Sequence, residues 1–186
     1  YVAAAARPSE AVKASDALRM LMLTGARRSE VLTATWDMFD LDGGVWIKPS
    51  SHTKQKKKHR IPLSPPAIQL LVEIKDRGDD PTYVFPSRRG SKHPHLTEIK
   101  KGWIKICKLA DLDDVRIHDL RHTYASVLVS GGASLPLIGA LLGHTQVQTT
   151  QRYAHLMDDP LREATNRVGA VIEGSDSADV IKMKRS

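Results

Sequence analysis

His118-Asp119-Leu120-Arg121-His122, then Leu142-Gly143-His144, then Arg152-Tyr153: these three stretches in the last third of the chain decide how the rest of it is read. Together they supply imidazoles, a guanidinium and a phenol, the groups with which a tyrosine can attack a phosphodiester without a metal. A phenol is a weak nucleophile near neutrality, because with a pKa near ~10 only about one molecule in a thousand is ionised. Something must take its proton. The attacked phosphate gathers negative charge as well, and arginine meets that charge best with its planar fork of donors. The spacing over Ile117–Val129 predicts a helix with Leu120, Tyr124 and Val127 on its core side. His118 and Arg121, three residues apart, fall together on a neighbouring face. Taken alone, the pair also fits a helix cap beside a solvated arginine.

Working outward, a second arginine lies far upstream in Thr24-Gly25-Ala26-Arg27-Arg28-Ser29-Glu30. Between the two arginines runs Thr53-Lys54-Gln55-Lys56-Lys57-Lys58-His59-Arg60-Ile61-Pro62-Leu63, a basic run that closes on an apolar strand end. Pro8-Ser9-Glu10 is a helix start, and Val12, Leu18, Met20, Leu21 and Leu23 give that helix an apolar face until Gly25 stops it. Arg27 therefore falls in a helix-to-helix turn. Met38-Phe39-Asp40, Val45-Trp46-Ile47 and Arg60-Ile61-Pro62-Leu63 read as three short strands, the first two joined by a tight turn at Asp42-Gly43-Gly44. Lys54 falls at the tip of the second hairpin. Pro65-Pro66 opens a helix to Arg77, Gly78-Asp79-Asp80-Pro81 breaks it, and Tyr83-Val84-Phe85 is briefly extended. Arg88-Arg89-Gly90-Ser91-Lys92-His93-Pro94-His95 is a basic loop. From Leu96 onward the pattern is helical, with breaks at Gly131-Gly132, Gly143 and Asp158-Asp159-Pro160. The fold class is mainly α with a small three-stranded antiparallel sheet.

Ser134 and Pro136 suit the start of a further helix, whose Leu137, Ile138, Leu141 and Leu142 bury one side before Gly143 ends it in a left-handed conformation. His144 is thus held at a helix terminus, where capping of the helix dipole is its simplest role. Tyr153 follows nine residues later with little apolar company, which suits a nucleophile on a short element. His118 and His122 share the spacing of a zinc-binding helix pair. The catalytic zinc motif, however, needs a glutamate where Asp119 stands, and no third ligand is evident. No metal or cofactor is expected.

The chain has 186 residues, 41% of them hydrophobic, enough for one buried core. No apolar run approaches the ~18 residues of a membrane span, and the opening Tyr1–Arg7 lacks the length of a signal peptide. A single cysteine, Cys107, excludes an internal disulfide and suits a reducing cytoplasm. The excess of 28 Lys and Arg over 21 Asp and Glu gives a net charge of +7, which favours polyanionic partners.

The boxes Thr-Gly-x-Arg-x-x-Glu, the lysine hairpin, His-x-x-Arg-His, Leu-Gly-His and the tyrosine, in this order from about Ser9 to Leu156, resemble those of the tyrosine recombinases, or phage integrases. The resemblance implies that family's catalytic-domain fold over residues 1–174, a C-terminal tail over 175–186, and the absence from this chain of the N-terminal domain that clamps DNA. It implies Arg27, Arg121 and His144 as phosphate ligands, Tyr153 as the nucleophile, His118 as the proton acceptor and Lys54 as the acid for the leaving 5′ oxygen. Glu30 would anchor the Arg27 turn. Lys56, Lys57, Lys58, Arg60, Arg88, Arg89 and Lys92 would bind DNA backbone. The function so implied is site-specific recombination of duplex attachment sites, integrating or excising a prophage or other mobile element in the bacterial cytoplasm, at the nucleoid. A tetramer held through the tail, with accessory DNA-bending or directionality factors, goes with it. Chromosome-dimer resolution, type IB topoisomerase activity and an inactive DNA-binding regulator are the alternatives.

Overall fold

Ser9 accepts a hydrogen bond from the Val12 amide and opens α1, Glu10–Thr24, in the computed structural model, which describes residues 9–49, 59–144 and 146–172. Gly25 closes the helix at φ +60°, its N–H donating to the Leu21 carbonyl at 2.9 Å. Ala14, Ala17, Leu18, Met20, Leu21 and Thr24 form the buried face at helical spacing. Val12 is 41% exposed and lies outside that face, contrary to the sequence pattern. Two charged side chains buried on α1 are satisfied: Lys13 donates to the Pro86 carbonyl at 3.3 Å, and Asp16 accepts from Arg77.

The short helix α2, Arg28–Leu32, follows at once, and a 3₁₀ turn over Trp36–Met38 leads into β1, Phe39–Asp40. β2, Val45–Lys48, and β3, His59–Pro62, complete an antiparallel sheet in the order β1-β2-β3. Its register sets Trp46 opposite Ile61 and Lys48 opposite His59. Trp46, fully buried, stacks on Phe39 at 5.1 Å. α3, Pro65–Asp76, buries Ala67, Leu70, Leu71 and Ile74. α1 packs against α2, α3 and α4, the last spanning Lys100–Leu109. Each Leu or Ile fully buried in this cluster stabilises it by roughly 1.5–3 kcal/mol.

Past Leu109 the structure departs from the sequence pattern, because residues 110–118 are not helical. Asp111 and Asp114 both adopt φ +52°, a left-handed conformation that aspartate tolerates better than most residues. Trp103 Nε1 pins this segment by donating to the Val115 carbonyl at 2.8 Å. α5 then runs over Asp119–Ser130, so His118 precedes the helix rather than riding on it. Its buried positions are Arg121, Ala125 and Val129 at i, i+4 and i+8, while Tyr124 is half-buried and Val127 is 66% exposed. Of the expected stripe Leu120/Tyr124/Val127, Leu120 packs partly buried against the main cluster, whereas Val127 is corrected, Val129 taking the inward place. Apolarity alone missed Arg121, a charged group buried on the same face as Ala125 and Val129.

α6, Leu135–Leu142, starts at Ser134 as the pattern suggests, with the Leu137 amide donating to Ser134 Oγ. It buries Ile138 and Leu142 and leaves Leu137 51% exposed. α7, Val147–Gln151, a 3₁₀ turn over Ala154–Leu156, and α8, Asp158–Ile172, complete the described chain. Two compact units are distinguished, Tyr1–Ala125 with Leu141–Gly143, and Ser126–Ala140 with His144–Ser186. The first holds the sheet, α1 to α4 and the main hydrophobic cluster. No helix among the described residues is long and apolar enough to cross a membrane.

Gly25 sits where a left-handed turn and close packing coincide. A Cβ there would lie 2.5 Å from Tyr124 Cδ1 and 2.9 Å from Leu142 Cδ2. Gly78 shares the positive φ but has nothing within 4 Å of that point. Urea unfolding should therefore show Gly25→Ala losing about 2–4 kcal/mol, strain plus overpacking, against about 1 kcal/mol for Gly78→Ala.

Candidate active site

The Gly25 turn sets Arg27 at the junction of α1 and α2. Glu30, in the first turn of α2, accepts from the Arg27 backbone N–H at 3.0 Å through Oε2 and from Arg27 Nη1 at 2.9 Å through Oε1. The arginine is thus folded back on its own helix, with its side chain 48% exposed and open to a ligand. Glu30 anchors the Arg27 turn, as the sequence implied.

Its second partner was not anticipated. Lys48, at the end of β2, reaches Glu30 Oε2 at 2.6 Å, with its ammonium 4.8 Å from the centre of the Trp46 ring. The signal was present in Val45-Trp46-Ile47-Lys48, where strict alternation puts Lys48 on the same inward face as Trp46. Burial pushes the Glu30 carboxyl up, but Lys48's charge and the hydrogen bonds from Lys48 and Arg27 outweigh it and hold the group below its usual range. Lys48 is pulled below its usual range, first by burial and further by the charges of Arg121 and Arg27, while Glu30 opposes the shift.

Arg121 is only 5% exposed, so it is not a solvated arginine. Nη1 donates to the Gly25 carbonyl at 2.7 Å and Nη2 to the Leu142 carbonyl at 2.8 Å. Both acceptors stand at helix C-termini, of α1 and α6, where the dipole favours a cation. His118 lies before α5, where Asp119 accepts from the Arg116 backbone at 2.8 Å and pairs with its guanidinium at 3.1 Å. The His118 imidazole is held below its ordinary value, mainly by burial, then by His122 and Arg121, with Asp119 opposing. The His118 and His122 rings meet edge to face at 5.1 Å. Among the described residues no group of three or more potential metal ligands forms.

Arg28, Lys100, Arg116, His118 and Arg121 form the polar wall of a cleft of about 520 Å³, with Leu21, Trp103 and Ile117 in its apolar lining. The ring of His59 on β3 closes over Gly143, where a Cβ would lie 2.7 Å from His59 Cε1. Gly143 is also left-handed, at φ +68°.

His144 and Tyr153 belong to the second unit. His144 Nδ1 lies 2.8 Å from Thr150 Oγ1, and its amide donates to the Gly139 carbonyl at 2.9 Å. Tyr153 lies just past α7 and opens the 3₁₀ turn, its N–H donating to the Thr150 carbonyl at 3.0 Å. Thr150 thus touches both, through its hydroxyl and its backbone. Tyr153 is 5% exposed, so the fold buries a residue whose neighbours in sequence are polar. Lys54, Lys56, Lys57 and Lys58 lie outside the described residues. Arg60, Arg88, Arg89 and Lys92 are all exposed, the last three on a loop closed by the Ser87 amide donating to the Pro94 carbonyl at 3.0 Å.

Residues 2–159 match the phage integrase family. The integrase of Salmonella phage P22 is 30% identical over 159 residues, covering 80% of this chain and 40% of the integrase. The tyrosine recombinase XerC of Corynebacterium glutamicum is 30% identical over 169 residues, 89% of this chain and 54% of XerC. The chain thus spans about half the length of these relatives. Crystalline XerH, a site-specific recombinase bound to a palindromic difH substrate after cleavage, superposes with a TM-score of 0.66 at 26% identity, over 86% of this chain and 47% of XerH.

The two arginines differ in what they hold. Arg121→Ala strips a buried donor from two carbonyls and should cost about 2–4 kcal/mol. Arg27→Ala removes a half-exposed ion pair and should cost under about 1 kcal/mol. Chemical denaturation of the two variants checks the contrast, and equal losses would refute it.

Proposed function

The chain belongs to the phage integrase family, and on that premise we propose that it carries the catalytic residues of a site-specific DNA recombinase that integrates or excises a prophage or other mobile element. The observation that carries the reading is the pairing of Arg121, buried and locked by both ends of its fork, with Arg27, 94 residues earlier in the chain and half open beside it at the Gly25 turn. Two guanidiniums fixed on rigid helix ends are suited to a phosphate, because they need no reorganisation as charge develops. The neutral imidazole of His118 supports a base, and the cationic cleft beside it supports a nucleic-acid partner.

In the proposed step, the Tyr153 hydroxyl gives its proton to His118 as Oη bonds to the scissile phosphorus. The bond from phosphorus to the 5′ oxygen breaks, its electron pair stays on that oxygen, and Lys54 supplies the proton that makes it a hydroxyl. Arg27, Arg121 and His144 bear the charge on the non-bridging oxygens. The product is a 3′-phosphotyrosine and a free 5′ hydroxyl, and attack by a partner strand's 5′ hydroxyl reverses the step. One phosphodiester is exchanged for another, so no nucleotide cofactor enters. Duplex attachment sites are the substrate of this reading. Lys56, Lys57, Lys58, Arg60, Arg88, Arg89 and Lys92 contact their backbone, and protomers assemble as a tetramer through the C-terminal tail. Accessory DNA-bending or directionality factors, and a place at the bacterial nucleoid, complete the proposal.

Incubation of the protein with nicked duplexes tiled across the DNA around its gene should trap a covalent complex on one of them. Tyr153→Phe should abolish that complex and keep DNA binding, since only the phenolic oxygen is lost. A phosphotyrosine formed by the variant would remove Tyr153 from the nucleophile's role.

The depressed His118 pKa fixes the sign of a pH effect. Neutral His118 accepts the proton, so cleavage is full above its folded pKa and falls as the pH drops through it. The acid limb of kcat/KM should lie below the ordinary imidazole range, and His118→Gln should cost at least about 10²-fold and erase that limb. Single-turnover cleavage from about pH 5 to 8 measures both. An unchanged limb in the variant would assign the base elsewhere.

A further inference from the structure

Lys48 is a buried charged group to which the catalytic reading gives no task. We propose that Lys48 is a positioning residue that neutralises Glu30, so that Arg27 faces the scissile phosphate as a cation rather than as half of a closed ion pair. The inference rests on the recombinase reading of the site.

Glu30 stands between two cations. One oxygen, Oε1, takes the Arg27 guanidinium at 2.9 Å, and the other, Oε2, takes the Arg27 backbone at 3.0 Å and Lys48 at 2.6 Å. With Arg27 alone, the carboxylate would cancel the guanidinium and leave Arg121 as the cation for the phosphate. Lys48 restores the lost charge without competing for the ligand. Its side chain is 7% exposed against 48% for Arg27, so the ammonium is shielded from solvent while the guanidinium is open to it. Trp46, fully buried, holds the lysine from one side, and Lys48 faces His59 across the β2–β3 ladder. A buried lysine is costly unless paired, and here the pair is made with the residue that orients Arg27. A lysine that served packing alone would not need its ammonium on that carboxylate.

The test is a charge-swap cycle read in single-turnover cleavage of the attachment-site duplex on which the parent protein forms its covalent complex. That complex by itself decides the recombinase reading. Lys48→Met keeps most of the stem and removes the charge, and it should slow cleavage at least about tenfold, a size expected for one partly screened charge near a phosphate. Adding Glu30→Gln restores the net charge, and the double variant should return to within about threefold of the parent. A methylphosphonate at the scissile position lacks the non-bridging negative charge, so on it the Lys48→Met penalty should shrink below about threefold. Circular dichroism and melting of all variants show that the fold is retained. A double variant as slow as Lys48→Met, or an equal penalty on the methylphosphonate, would overturn the proposal in favour of a packing role. Lys48→Met cleaving at the parent rate would overturn it outright.

Discussion

The Arg121 guanidinium is buried with one arm on the last turn of α1 and the other on the last turn of α6. An unpaired cation at that depth would cost several kcal/mol. Two helix C-termini offset part of that cost with their aligned carbonyls. Gly25 has no side chain and a left-handed turn because the guanidinium, Tyr124 and Leu142 all converge there.

Arg27 meets the opposite condition. It is half exposed and tied to a carboxylate, so its position is set by Glu30 and its charge is in part spent on the same residue. The second cation on Glu30 comes from β2, which ties the sheet to the arginine turn. A small sheet in a helical protein thereby carries an electrostatic duty. β3 makes a contact of its own, since the His59 ring lies over Gly143.

Much was legible in the chain itself. Ser9, Gly25, Pro65-Pro66, Ser134 and Gly143 mark helix ends through caps, fixed φ and positive φ, effects that act within a few residues. Alternation and the Asp42-Gly43-Gly44 turn gave the sheet for the same local reason. The order of the boxes pointed to phosphodiester chemistry, and residues 2–159 match the corresponding family. Where the pattern failed, the failure was non-local. Residues 110–118 contain apolar positions at helical spacing but are pinned as a loop by Trp103 and by two left-handed aspartates. Val127 and Leu137 are apolar and exposed, because a helix's inward direction depends on what packs against it.

The sequence by itself determined the residue types, their order and the local punctuation, because capping, turn and periodicity energies are set by near neighbours. It could name Arg27, Arg121, His118, His144 and Tyr153 as chemically apt. The tertiary structure decided which cations are buried and what they hold. Arg121 bonds to Gly25, 96 positions away, and Lys48 to Glu30, 18 positions away on a different kind of element. Burial, desolvation and ion pairing depend on distances through space, and those exist only once the helices and the sheet have closed around the same point.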